Sequence, residues 1–251
     1  MKKILFLLLI ATLSLLVAGL AAGPTSAASP PHSSGVPANA NVVELTAHHL
    51  EFKGPTEIPS GWTTVRLKNE SEHVHFALFA RYPEGRGVED HQQIIAPIFQ
   101  EGSELLWAGQ LAEAFATFGQ LPAWYFDVVI TGGPGLIAPG RTAQTTLYLE
   151  PGTYVIECYV KTDRVYHSVP SNLNDPEPSE YGMVHEITVT ETPSGASAPE
   201  PTLEMTLSTE RGIEVADKVR PGLHTVAVYF EDQTVYGNFA GHDVHLARLE
   251  S

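Results

Sequence analysis

Four residues of this 251-residue chain have side chains suited to holding a soft metal ion: His75, Cys158, His167 and Met183. Two imidazoles and a thiolate form a trigonal set of donors, and a thioether completes it as a weak axial ligand. The sulfur donors favour Cu(I), whereas imidazole tolerates Cu(II), so copper held in this way exchanges an electron with little rearrangement. These residue types, in this order, therefore predict a copper site.

The two sulfur residues also have a purely structural interpretation. Cys158 lies on the same strand face as Tyr154 and Ile156, where it would be a small buried apolar residue. Met183 would fill the core beside the last strand of the domain. A metal site and an apolar core position are therefore both open for each of them.

The histidines are ambiguous because the chain contains 11 of them. His73 and His91 lie near His75 in the sequence, so a histidine at position 75 could be there by coincidence. His185 shares a strand face with Met183 and could replace either ligand of the downstream pair. Only the folded geometry decides among these histidines.

Strand patterns surround the candidate ligands. Trp62 to Asn69 alternates, with Thr63, Val65 and Leu67 on one face, which predicts a half-buried strand. A strand from His73 to Arg81 is predicted after the next polar turn. Further short strands are separated by Pro-Gly and by Asn or Ser turns, as in a β-sandwich or barrel. Between them, Gln92–Gln100 and Glu104–Phe118 lack β alternation and predict one or two short helices.

Several turn and loop motifs occur in an order that resembles one known family. They are Ile58-Pro59-Ser60-Gly61-Trp62, Asn69-Glu70 before His75, Gly132-Gly133-Pro134-Gly135, Leu149-Glu150-Pro151-Gly152-Thr153-Tyr154 before Cys158, and Gly182-Met183. The chain here resembles the cupredoxins, in particular the exported plastocyanin-like proteins of bacteria. The resemblance implies an all-β, cupredoxin-like Greek-key sandwich with a short helical insertion. It also implies a type 1 copper site made by the four residues named above, serving electron transfer or copper holding.

The downstream ligands are spaced differently from those of characterised blue-copper proteins, in which they lie a few residues apart on one loop. Here eight residues separate Cys158 from His167, and fifteen separate His167 from Met183. A longer loop holds its ligands less rigidly. The path of this loop therefore decides whether the three side chains meet.

The end of the chain resembles its beginning, which predicts a partial second copy of the domain. Leu203-Glu204-Met205-Thr206 resembles Val43-Glu44-Leu45-Thr46, and His242 to Arg248 resembles His75 to Arg81. The expected organisation is a signal peptide (1–27), a flexible linker (28–41), the cupredoxin-like domain (42–190), a second linker (191–201) and the partial repeat (202–251). Half a sandwich cannot close its own core, so the repeat must pack on the first domain, pair with another chain, or be the remnant of a shortened domain.

The N-terminus predicts export. Lys2 and Lys3 precede an apolar run from Ile4 to Leu20, and small residues follow it, as in a secretory signal peptide. We therefore expect a secreted or periplasmic protein at the cell exterior, with no membrane span after cleavage. With a single cysteine, the chain forms no internal disulfide.

Charge and motif content restrict the partners and the activity. The formal net charge is −15, and removal of Lys2 and Lys3 with the leader makes it −17. No block of basic residues is present, which argues against nucleic-acid binding. An acidic surface suits a basic redox partner protein. No nucleophile motif, zinc-protease helix or phosphate loop is present, so we do not expect an enzyme.

A second functional class remains open at this stage. A metal-free cupredoxin-fold module would act through protein–protein contacts, using the aromatic residues of the helical insertion. The partial repeat would offer it a strand edge for a homo-oligomer.

Overall fold

The computed structural model describes residues 40–170, 182–215, 218–219, 221–222, 224–232 and 244. These residues belong to the compact unit Gly35–Ser251. The expected signal peptide, nearly all of the first linker and most of the final repeat strand lie outside the described residues, as does the loop 171–181. The expectations about those segments stay predictions.

The described main body contains ten strands, eight of which form two sheets that share one long strand. The strands are β1 (Asn41–His48), β2 (Glu51–Lys53), β3 (Glu57–Asn69), β4 (Leu78–Arg81), β5 (Val129–Gly132), β6 (Thr142–Leu149), β7 (Gly152–Glu157), β8 (Lys161–Thr162), β9 (Val165–Tyr166) and β10 (Val184–Pro193). One sheet has the order β2-β1-β3-β6, and the other has the order β3-β10-β7-β4-β5. Strands β8 and β9 form a separate small hairpin.

Strand β3 passes from one sheet to the other. Its first residues, Glu57 to Ser60, pair in parallel with β10. From Gly61 onward it lies between β1, to which it is parallel, and β6, to which it is antiparallel. Gly61 has a φ of +100° at this junction. An L side chain rarely adopts that angle, which explains the Ser-Gly-Trp sequence at the bend.

The inner faces of the two sheets form one apolar core. The alternation predicted for β3 is confirmed, because Thr63, Val65 and Leu67 are completely buried. They share the core with Ile156 of β7 and Ile187 of β10. Burying each Val, Leu or Ile side chain of this kind contributes roughly 1.5–3 kcal/mol. The prediction of an all-β sandwich is confirmed.

The helical insertion lies between β4 and β5. It contains α1 (Val88–Asp90), a π-helical turn (His91–Ile95), α2 (Ala96–Trp107), α3 (Leu111–Phe118) and a 3₁₀ turn (Ala123–Asp127). The predicted short helices are confirmed, although the first helical run continues through residues 101–103 and ends at Trp107. Among the described residues, no helix is long and apolar enough to cross a membrane.

A three-stranded sheet follows the second linker. It comprises β11 (Leu203–Ser208), β12 (Gly212–Val215) and β13 (Val226–Phe230), in the order β12-β11-β13. Its middle strand pairs antiparallel with one neighbour and parallel with the other, with Leu203 opposite Val226. Strand β1 pairs in the same two directions, with Val43 opposite Val65. The partial second copy itself stays a prediction, since most of its last strand lies outside the described residues.

Candidate metal centre

Three of the four predicted ligands converge in the core. The Nδ1 atoms of His75 and His167 lie 3.2 Å apart, and the sulfur of Cys158 lies 3.6 Å from the first and 3.7 Å from the second. All three residues are completely buried. Within the described part of the chain, they form the one group of three or more His, Cys or acidic side chains with donor atoms close enough to hold a metal ion.

A polar turn after β3 positions His75. The Asn69 side chain donates to the carbonyls of His73 (2.7 Å) and Ile137 (3.1 Å). The backbone of His75 pairs with Ile137 in an isolated bridge, which sets the direction of the ring. This region differs from the predicted strand His73–Arg81. The Asn69 side chain donates to the backbone carbonyls of His73 and Ile137, which would otherwise accept hydrogen bonds from a neighbouring strand. The regular strand begins only at Leu78.

The outer nitrogen of His75 meets a serine hydroxyl. The Ser71 Oγ lies 2.6 Å from His75 Nε2 and 3.0 Å from Asn69 Oδ1. When Nε2–H donates to this oxygen, the hydroxyl donates onward to Asn69. That direction leaves the Nδ1 lone pair facing Cys158, which is the tautomer a metal ligand requires.

His167 has the same arrangement on another element. It follows the hairpin of β8 and β9, and its Nε2 lies 2.8 Å from the hydroxyl of Thr162. Helix α2 supports the hairpin: Tyr166 N–H donates to Gln100 Oε1 (3.0 Å), and Ser103 Oγ lies 2.8 Å from Tyr166 OH. The helical insertion therefore contributes to the placement of a candidate ligand.

Cys158 comes directly after β7 and is held by backbone groups. Its N–H donates to the carbonyl of Met183 (3.2 Å), and the N–H of Met183 donates to the carbonyl of His167 (2.7 Å). The backbone amides of Phe76 and Val160 donate to its sulfur. These bonds bring the three downstream residues together despite their long separation in sequence.

Met183 is completely buried and belongs to the same apolar core as Cys158. The preceding Gly182 has a φ of +67°, and a Cβ atom there would lie 2.6 Å from the carbonyl oxygen of Ser168. Glycine is therefore required where the chain returns from the loop to β10. This return places Met183 next to the backbone of both His167 and Cys158.

Burial sets the protonation of the three donors in the absence of a metal ion. It lowers the pKa of His75 to about 3, with smaller contributions from His167 and His73, and it lowers the pKa of His167 to about 4. Both imidazoles are therefore neutral at pH 7, the form that binds metals. Burial raises the pKa of the Cys158 thiol to about 12, so binding of a metal ion must release its proton.

The donor geometry fits a first-row metal ion. Metal–nitrogen distances of about 2.0 Å and a metal–sulfur distance of about 2.3 Å, at tetrahedral to trigonal angles, require nitrogen and sulfur about 3.5–3.7 Å apart and the nitrogens about 3.3–3.5 Å apart. The distances of 3.6, 3.7 and 3.2 Å agree with these to within about 0.1 Å. Two imidazoles, one thiolate and a nearby methionine are the donors of a copper site with a weak axial thioether, so copper is the expected cofactor.

The chain resembles the cupredoxins. It is similar to auracyanin A, a blue copper protein of Chloroflexus aurantiacus, with 22% identity over 59% of this chain and 98% of that one, and a TM-score of 0.33. It is also similar to auracyanin of Roseiflexus castenholzii (19% identity, 60% and 98%, TM-score 0.33) and to rusticyanin of Thiobacillus ferrooxidans (14%, 63% and 84%, TM-score 0.32). No protein-family model and no curated protein sequence matches. The fold assignment rests on the strand pairing described above.

The other histidines considered as ligands lie elsewhere in this cupredoxin-like domain. His185 Nε2 is 2.9 Å from the carbonyl oxygen of Pro55, and His185 is not among the three residues whose donor atoms converge. His91 lies in a second buried cluster, where its Nδ1 is 2.8 Å from Tyr82 OH and its Nε2 is 3.5 Å from a carboxylate oxygen of Glu157.

Sequence reasoning missed the two hydroxyls that orient the imidazoles, Ser71 and Thr162. Each lies four or five residues before the histidine it contacts. A Ser or Thr four or five residues before a candidate ligand histidine is the sequence pattern that could have identified them. Such residues are common in turns, so the spacing alone does not identify them.

Proposed function

We propose that this protein is an exported, cupredoxin-like copper protein that transfers single electrons or holds copper. The observation that supports the proposal is the convergence of two imidazole Nδ1 atoms and one thiol within 4.8 Å in a completely buried site.

In this proposal His75, Cys158 and His167 would bind the copper ion, and Met183 would supply a further sulfur ligand. Copper supplies the one-electron chemistry, alternating between Cu(I) and Cu(II). The hydroxyls of Ser71 and Thr162 hold the imidazoles in the binding tautomer. Because the surrounding strands fix all three donors before any ion binds, little movement accompanies a change of oxidation state.

The protein surface suggests the kind of partner. The formal net charge of −15 favours a transient, salt-sensitive encounter with a basic redox protein. The N-terminal basic, apolar and small-residue segments favour a location outside the cytoplasm. We infer no nucleic-acid partner and no enzymatic role.

The test is a visible absorption spectrum of the mature protein after addition of Cu(II) and removal of excess ion. We expect an intense thiolate-to-copper band at one copper per chain. Cys158→Ser should abolish this band, because oxygen cannot give the same charge transfer, whereas Ser60→Ala in the distant β3 bend should leave it unchanged. A colourless wild-type protein that retains no copper refutes the proposal.

The alternative is a metal-free binding module, favoured by one surface. Helices α2 and α3 expose large apolar side chains, including Trp107 (74% exposed) and Phe115 (61%). The sheet β12-β11-β13 adds exposed Tyr229 and Phe230, which suit a homo-oligomer formed through the partial repeat. Light scattering of the same sample tests this alternative, because a copper-free oligomer would support it and a copper-loaded monomer would refute it.

A further inference from the structure

The buried site raises the question of how a metal ion reaches it. The candidate ligands are completely buried, and the Nε2 atoms of His75 and His167 face the hydroxyls of Ser71 and Thr162. A hydrated ion must exchange its water molecules for these donors. A partly hydrated charge in an apolar core is costly, so a ligand that receives the ion at the surface would lower the barrier.

His73 has the position that such a ligand requires. It is half-buried, and the centre of its ring lies 5.7 Å from that of His167 and 6.3 Å from that of His75. One edge of the ring is therefore accessible to water while the ring lies beside two of the buried donors. His73 is not part of the converging group itself, whose members are His75, Cys158 and His167.

The backbone of His73 is held by the same turn that positions His75. Its carbonyl accepts hydrogen bonds from Asn69 Nδ2 (2.7 Å) and Ser71 Oγ (3.2 Å), and its N–H meets Ser71 Oγ at 3.1 Å. These bonds fix the backbone two residues before His75 and so help to keep the ring of His73 beside the site.

We propose that His73 is the uptake ligand of the copper site. It binds the incoming ion at the protein surface and transfers it to His167 and then to the buried set. The step is a ligand exchange: one imidazole nitrogen replaces another, water is released, and the Cys158 thiol loses its proton to solvent as sulfur binds. No electron is transferred. This inference rests on the copper proposal above and adds a route to it.

The test measures the rate of copper uptake separately from its extent. Copper-free, reduced protein is mixed with Cu(II) sulfate in a stopped-flow instrument, and growth of the thiolate-to-copper band is followed. We expect His73→Ala to slow uptake about tenfold or more, equivalent to a barrier higher by about 1.4 kcal/mol. The final band intensity and the equilibrium copper affinity should be unchanged.

Two further variants make the outcome specific. His73→Gln retains a polar side chain and should be as slow as His73→Ala, which separates loss of the imidazole from loss of folding. His48→Ala removes another half-buried imidazole, at the end of β1, and should take up copper at the wild-type rate. Wild-type uptake rates in both His73 variants overturn the uptake role. A lower equilibrium copper affinity in these variants also overturns it, because His73 would then be a ligand of the resident ion. A wild-type protein without any copper band overturns the copper proposal itself.

Discussion

Replacement of Ser71 by alanine tests whether the outer hydrogen bond of His75 organises the metal site. The Ser71 Oγ lies within hydrogen-bond distance of His75 Nε2 (2.6 Å) and of the His73 N–H (3.1 Å). In Ser71→Ala the buried Nε2–H loses this acceptor. An unsatisfied buried donor costs about 1–3 kcal/mol. The carbonyl of His49 also interacts with the His75 ring, so we expect the lower half of that range.

The copper affinity should fall as well, because the ring is no longer held in the tautomer that directs Nδ1 to the metal. Loss of such an outer partner typically lowers metal affinity about 10- to 100-fold. The assays are urea denaturation of the copper-free protein and competition for copper with a chelator of known affinity.

Ser60→Ala provides the matched control. Ser60 is as buried as Ser71 (8% and 7% exposed) and its hydroxyl donates to the carbonyl of Thr192, far from the ligands in sequence. This variant should lose some stability and retain its copper affinity. If Ser71→Ala binds copper as tightly as Ser60→Ala does, the hydroxyl does not organise the site and the reasoning fails.

Two further predictions follow from the same geometry. Thr162→Ala should weaken copper binding less than Ser71→Ala does, because Thr162 is half-buried and water can replace its hydroxyl beside His167. Thr162→Ser keeps the hydroxyl and should bind copper with the wild-type affinity. Equal copper affinities of the two Thr162 variants in the chelator competition would contradict this prediction. Burial raises the pKa of Glu157 to about 8, so its protonated form stabilises the fold fully below pH about 4.5, and this stability is lost as pH rises through 8. Relative to Glu157→Gln, we expect the copper-free wild-type protein to lose about 1–2 kcal/mol of stability between pH 6.5 and 8. Glu157→Gln should flatten this slope in urea denaturation, and an unchanged slope would assign it to another group.

The candidate ligands could be named from the sequence because their chemistry is narrow. Few residue types bind soft metals, and the order of His75, Cys158, His167 and Met183 along the chain already indicated copper. Whether these side chains meet was not predictable. That depends on the β8–β9 hairpin and on helix α2, whose contacts through Gln100 join residues more than 60 positions apart.

The strands were predictable where apolar and polar residues alternate. They were less predictable where a side chain forms a hydrogen bond that a neighbouring strand would otherwise form. The alternation of Thr63, Val65 and Leu67 identified β3 correctly. The region after β3 was predicted as a strand beginning at His73. The carbonyl of His73 instead accepts a hydrogen bond from the Asn69 side chain, and regular strand pairing begins only at Leu78. A pattern of apolar residues does not reveal such a side-chain bond.

The shared strand β3 has a consequence for the order of events during biosynthesis. Its first residues, Glu57 to Ser60, pair with β10, which is made more than 110 residues later. The sheet β3-β10-β7-β4-β5 is not complete until β10 is available, so the sandwich cannot close earlier, and such distant pairing makes folding slow. A chain that stays open until its C-terminal half has been synthesised remains thin enough to pass through a translocation channel. In the exported copper protein proposed above, β3 would therefore couple late folding to secretion, and copper would load only after the whole sandwich has closed.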